Sequence, residues 1–170
     1  MGEGLIAKYA IGGAFGALFY LEPTETSDID IFIHIDPPAG SLLISIDPFI
    51  DRLEALGYRE WIEDNIVVEG CPIQFVPVSK PIEIEGLERA GRKLLTVEIQ
   101  PFVFPPEHLM AIALDLSRSK DKVRLEQFHR TGAYDATALA DILRRHGLEE
   151  KWHRLLRLFE DGLPPVPFNK

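Results

Sequence analysis

Along residues 28–36 the apolar and polar positions alternate with period two. Ile29, Ile31, Ile33 and Ile35 fall on one face of a predicted strand; Asp28, Asp30, Phe32, His34 and Asp36 fall on the other. Upstream, Tyr9–Ile11 predicts a first strand, Gly12-Gly13 a turn, and 13–21 a helix that Pro23 stops. Residues 3–8 predict a short helical turn, and Glu22–Ser27 a polar loop with Thr24, Thr26 and Ser27 as turn or cap residues. Helical spacing returns at Phe49, Ile50, Leu53 and Leu56, behind Asp47-Pro48 and ahead of Gly57. Short runs at 58–62, 66–69 and 72–76, with a turn at Asp64-Asn65, predict an antiparallel meander. A helix is expected over 82–92 and extended chain over 94–99 and 102–104. From Pro105 the pattern turns helical throughout: to about Leu116, then 121–130, 135–146 and 149–159, before a proline-bearing tail. There is no internal repeat and no low-complexity tract.

This layout predicts an α+β fold. Residues 1–104 form an α/β core, 105–160 a helical region packed on it, and 161–170 a tail. Composition adds limits. The longest apolar stretch, Tyr9–Leu21, is too short and glycine-rich to span a bilayer and has no basic segment before it, so a cytoplasmic location and no membrane partner are expected. The single cysteine, Cys71, cannot form an internal disulfide and reads as a small, partly buried hydrophobe. A net charge of −9 argues against a general nucleic-acid binder. Basic residues nevertheless cluster at 118–130 and 144–157. Solvated helix faces are the plainer reading of such runs; the functional one is that they face an anionic ligand held by the acidic first half.

Asp28 and Asp30 carry the sharpest chemical signal. Two residues apart on a strand, their Cα atoms lie about 6.6 Å apart and their side chains point the same way. Such a pair can bind one Mg²⁺ or bracket two. Gly12-Gly13, at a strand-to-helix turn, lets a ligand approach the backbone with its free N–H groups. His34 shares the aspartate face but has no companions at ligand spacing. His108 reads as part of a helix start, and Trp61 and Trp152 as packing residues. No serine has a Gly-x-Ser-x-Gly setting, so a hydrolase triad has no support.

Gly12-Gly13, a helix, then Thr26-Ser27-Asp28-Ile29-Asp30 resembles the signature of DNA polymerase β-like nucleotidyltransferases. Pro106-Glu107-His108-Leu109 followed by Arg118-Ser119-Lys120-Asp121 is similar to the helical motif of the abortive-infection and toxin-type branch. The motifs span roughly residues 9 to 130. The resemblance implies a mixed sheet with flanking helices, followed by a C-terminal helical bundle. It also implies Mg²⁺ (or Mn²⁺) chemistry and transfer of a nucleoside monophosphate from an NTP to an RNA, a protein or a small molecule. By position, Gly12, Gly13 and Ser27 would contact the triphosphate and Asp28 and Asp30 would bind metal. Arg118 and Lys120 would sit near phosphate oxygens, and Asp121 would orient them or cap its helix. The acceptor would be a tRNA end or a protein hydroxyl among others, and a toxin restrained by a separate antitoxin is implied by the resemblance alone.

Two departures accompany it. The family's third carboxylate falls at Gln74, whose amide orients a hydroxyl but takes no proton; Glu69 is the nearest acid in sequence. The helix after Pro106-Glu107-His108 also lacks the lysine that toxin-type members often carry. An alternative therefore stands beside transfer: a protein of this fold that binds nucleotide or a partner without catalysis.

Overall fold

A computed structural model describes residues 6–23, 26–35 and 45–161. Its centre is β2 (Ile29–His34), whose alternating side chains are covered on both sides. β2 pairs antiparallel with β1 (Lys8–Ile11) and parallel with β5 (Cys71–Pro77). Outside β5 come β4 (Asn65–Val68) and β3 (Trp61–Ile62), antiparallel; outside β1 come β7 (Phe102–Val103), parallel, and β6 (Gly91–Arg92), antiparallel to β7. The order is β3-β4-β5-β2-β1-β7-β6, a mixed sheet of seven strands among the described residues.

The helices divide between its faces. On the isoleucine face, α2 (Asp47–Ala55) brings Phe49 edge-on to Phe75, which is the register partner of Ile31. On the aspartate face lie α1 (Gly13–Ala17), α3 (Pro81–Glu88) and α4 (Pro106–Leu116). The tilted pair Phe32–Phe104, with centroids 4.9 Å apart, sits at the heart of this layer. α4 is buried continuously from His108 to Leu114 because it packs on α1 and α3 on one side and on α5 (Ser119–Thr131) and α6 (Ala136–Arg145) on the other. Burying a leucine or isoleucine in such a position contributes about 1.5–3 kcal/mol. α7 (Glu149–Asp161) packs on α6, and its Trp152 and Phe159 enclose His129 of α5. The fold is thus α+β, with a mixed sheet and seven helices among the described residues.

Several expected boundaries move. Residues 3–5 and the tail from 162 lie outside the described residues, and Lys8 opens β1 rather than closing a helical turn. α1 stops at Ala17, after which the chain tightens into turns: Leu18 and Phe19 donate to the carbonyls three residues back, and the Tyr20 hydroxyl reaches the Phe104 carbonyl at 3.0 Å. The helix expected over 82–92 ends at Glu88, because Gly91-Arg92 finds ladder partners in β7. Residues 94–99 are a turn rather than a strand: Leu95 donates to Ile99, and Thr96 Oγ1 accepts from the Glu98 and Ile99 N–H groups. Tyr58–Glu60 precede the strand, which begins at Trp61. Trp61 is exposed on this edge rather than a packing residue, and Cys71 is exposed rather than partly buried.

Candidate active site

The cleft forms where the end of β1, the start of β2, the middle of β5 and the first turn of α5 meet. Its volume is about 220 Å³. Gly12 continues the β1–β2 ladder by donating to the Asp30 carbonyl at 2.9 Å. Gly13 then takes φ +56°, and a Cβ there would lie 1.6 Å from Asp30 Oδ2. A Cβ on Gly12 would meet the Phe32 ring at 2.4 Å. The glycines therefore make room for the aspartate strand: the Asp30 carboxylate occupies the space beside Gly13 that a side chain would fill.

Burial raises the pKa of Asp30, and the neighbouring Asp28 raises it further. Arg118, Lys120 and Arg124 pull it back. Asp28 precedes β2 and is half-buried; the Thr26 hydroxyl lies 3.1 Å from its carbonyl and 3.4 Å from its carboxylate. Both aspartates thus stand at the Gly-Gly end of the sheet, as their two-residue spacing requires.

The cationic side is built by a sharp joint. α4 ends at Ser117 in the left-handed region, φ +56°, and α5 starts directly from Arg118. Asp121, in the first turn, accepts the Arg118 backbone N–H at 3.2 Å. It also takes Arg118 Nε at 2.7 Å and Nη2 at 3.2 Å, a two-pronged pair that raises the Arg118 pKa. Asp121 is fully buried. Arg124, one turn on, reaches it at 3.5 Å.

Gly13, Asp30, Gln74, Arg118 and Asp121 line the one cleft. Gln74 is the parallel-register partner of Asp30, so an amide stands beside the aspartate pair on the adjoining strand. Glu69 is elsewhere. It occupies the β4–β5 turn with φ +50°, exposed, and accepts the Tyr58 hydroxyl at 2.6 Å. Gly12, Ser27, Asp28 and Lys120 are outside the cleft lining, although the charges of Asp28 and Lys120 act on Asp30. His34 is at the far end of β2. In the second basic cluster Arg144 and Arg145 pair with Asp141, Arg145 and His146 with Glu85, and Lys151 with Asp115.

Two further charged residues, Glu83 and Arg124, line the cleft. Glu83 is buried and accepts the N–H groups of Ser79 and Lys80 at 3.1 and 3.2 Å, capping α3. Its signal was proline at the first helical position followed by glutamate at the third. Arg124 belongs to the basic run at 118–130 and stands three residues after Asp121 on the helix. The rest of the wall is apolar, with Phe32, Phe104, Leu109 and Ile112. Among the described residues no group of three or more His, Cys, Asp or Glu could hold a metal ion. No helix among the described residues is long and apolar enough to cross a membrane.

No protein-family model matches the chain, and no curated protein matches it. A solved structure of an antigenic nucleotidyltransferase-like protein from Paracoccidioides brasiliensis is similar to it, with TM-score 0.46 and 17% sequence identity over 84% of this chain and 83% of that one.

Proposed function

We propose that the protein is a Mg²⁺-dependent nucleotidyltransferase, moving a nucleoside monophosphate from an NTP to an acceptor hydroxyl. The observation that carries this reading is convergence. Gly13, Asp30, Arg118 and Asp121, distant in sequence, line one cleft. The sequence motifs that they belong to resemble those of polymerase β-like nucleotidyltransferases.

The residues present fit a divalent ion. A hard cation such as Mg²⁺ (or Mn²⁺) takes one or two carboxylates and fills its remaining positions with water and phosphate oxygens. Asp28 and Asp30 would hold it; burial and then the neighbouring Asp28 raise the Asp30 pKa, and a cation between them would favour the charged carboxylate. Bound there, it would neutralise charge on the phosphate oxygens. The chain's own groups supply position and countercharge. Asp121 fixes the Arg118 guanidinium, leaving its other N–H donors for phosphate, and Lys120 adds field. In the transfer, the acceptor oxygen bonds to the α-phosphorus as the bond to the bridging oxygen breaks and pyrophosphate leaves. The Gln74 amide cannot take the acceptor proton, which passes to water or to another acid. The acceptor is an RNA such as tRNA, a protein or a small molecule, and the resemblance extends the reading to a cytoplasmic toxin with a separate antitoxin.

A second reading, binding without transfer, is favoured by one observation. Gln74 stands at the register position where a third acid is expected, and Glu69 is turned to Tyr58. Incubation with each labelled NTP, Mg²⁺ and total cellular RNA or protein separates the two. Label should enter an acceptor with the wild type and not with the Asp28→Asn/Asp30→Asn variant. Mg²⁺-dependent nucleotide binding with no incorporation selects the second reading. Binding that survives the double substitution removes the metal assignment.

A further inference from the structure

The cleft contains a guanidinium that the fold alone does not explain. Arg124 lines the cleft beside Asp30, and its side chain is only 12% exposed. An arginine carries five N–H donors. Among the described residues Arg124 makes one protein contact with an acceptor, to Asp121 Oδ1 at the outer limit of 3.5 Å. Asp121 does not require it, since Arg118 already bonds both of its carboxylate oxygens at 2.7 and 3.2 Å. Burying a second cation on a satisfied carboxylate costs solvation without a matching gain, and burial does pull the Arg124 pKa down. Its other acidic neighbours, Asp30 and Asp28, act on it through their field.

We propose that Arg124 is a second phosphate-binding residue, placed beside Arg118 to take an oxygen of the pyrophosphate portion of an NTP. The identity of the anion rests on the nucleotidyl-transfer reading; the unfilled donors do not. A planar guanidinium matches a phosphate edge with two N–H groups, which an ammonium cannot reproduce. Arg118 is anchored at the mouth of the cleft and Arg124 in its wall, so an anion between them meets donors from successive turns of α5.

The test is calorimetric titration of the full chain with magnesium pyrophosphate. Arg124→Gln should weaken binding at least about tenfold, the loss of one charged hydrogen bond. Arg124→Lys should fall between the two. Arg130→Gln, on the exposed side of α5 where Arg130 pairs with Glu126, should match the wild type. Titration with Mg²⁺ alone should not weaken in Arg124→Gln, which distinguishes loss of an anion ligand from collapse of the cleft. Wild-type affinity in Arg124→Gln, or no pyrophosphate binding by the wild type, overturns the proposal. If Arg124→Gln does not fold, Arg124→Lys decides, and wild-type affinity there overturns it equally. Nucleotide transfer with pyrophosphate binding indifferent to Arg124 would remove this inference and leave the transfer reading intact. Arg124-dependent pyrophosphate binding in a protein that transfers nothing would do the reverse.

Discussion

Gly13 and Asp30 are complementary at the level of single atoms. The carboxylate occupies the space where a Cβ would stand, and the positive φ of Gly13 would strain any side chain. Gly13→Ala should therefore destabilise the protein by about 1–2 kcal/mol from the left-handed backbone alone. Its Tm should fall by several degrees, and nucleotide affinity should fall further because Asp30 must move. Thermal unfolding and nucleotide titration read the two effects separately. Gln74→Glu is the converse experiment. A third carboxylate beside Asp30 should tighten Mg²⁺ binding by about tenfold, through the added ligand charge. It should also raise the rate of any transfer that lacks a proton acceptor. Unchanged Mg²⁺ affinity by calorimetry would show that position 74 does not serve the ion. The motif residues could be read from the sequence because strand periodicity and turn chemistry are local. Asp28 and Asp30 fall on one face whatever packs above them. Arg124 and Glu83 could not be read this way, since their places in the cleft depend on how α5 and α3 cross the sheet.

At the scale of elements, α3, α4 and α6 meet around one carboxylate. Glu85 lies 2.8 Å from His146 Nε2, also binds Arg145, and pairs with Arg89 at 3.2 Å. Burial opposes its ionisation, but the bonds from His146 and Arg145 hold its pKa down to about 2. His108 lies against Gly86, its Nε2 3.6 Å from Glu85, and neither ring nitrogen has a hydrogen-bond partner among the described residues. Burial lowers the His108 pKa below its ordinary 6.5. The signs agree. Below about pH 6.5 the unfolded chain binds a proton at His108 that the folded one resists, so stability falls with pH. Glu85 stabilises the fold above its ordinary carboxylate range, and that contribution is lost as pH drops from about 4.5 towards 2. Tm should thus decrease from pH 7 to pH 5, and His108→Leu should flatten that decrease, as followed by circular dichroism. An identical slope in the variant would exclude His108 as its source. Helical spacing locates these helices but extends α3 past its end at Glu88. Residues 89–92 continue a helical pattern, and only the remote ladder to β7 draws Gly91-Arg92 into the sheet.

At the scale of the whole molecule, the apparent break at residue 104 follows the change in sequence character, while the packing runs across it. α4 covers the aspartate face, and the Tyr20 hydroxyl bonds the Phe104 carbonyl. A chain ending at 104 would leave Phe32 and Phe104 without Leu109 and its neighbours. It should show no cooperative thermal transition and poorly dispersed amide resonances; a sharp transition would make the first half an autonomous unit. Helical spacing gave each helix but not its partners, so the sequence could describe two halves without revealing the layer they share. The same arrangement has a consequence in time. Asp30 of the cleft comes from β2, and the cleft's guanidinium groups, Arg118 and Arg124, from the start of α5, so synthesis delivers Asp30 first and the cations only after some ninety further residues. Until α5 has left the ribosome and docked, the nascent protein lacks the cationic wall of the cleft, and premature termination before Arg118 releases a product without it.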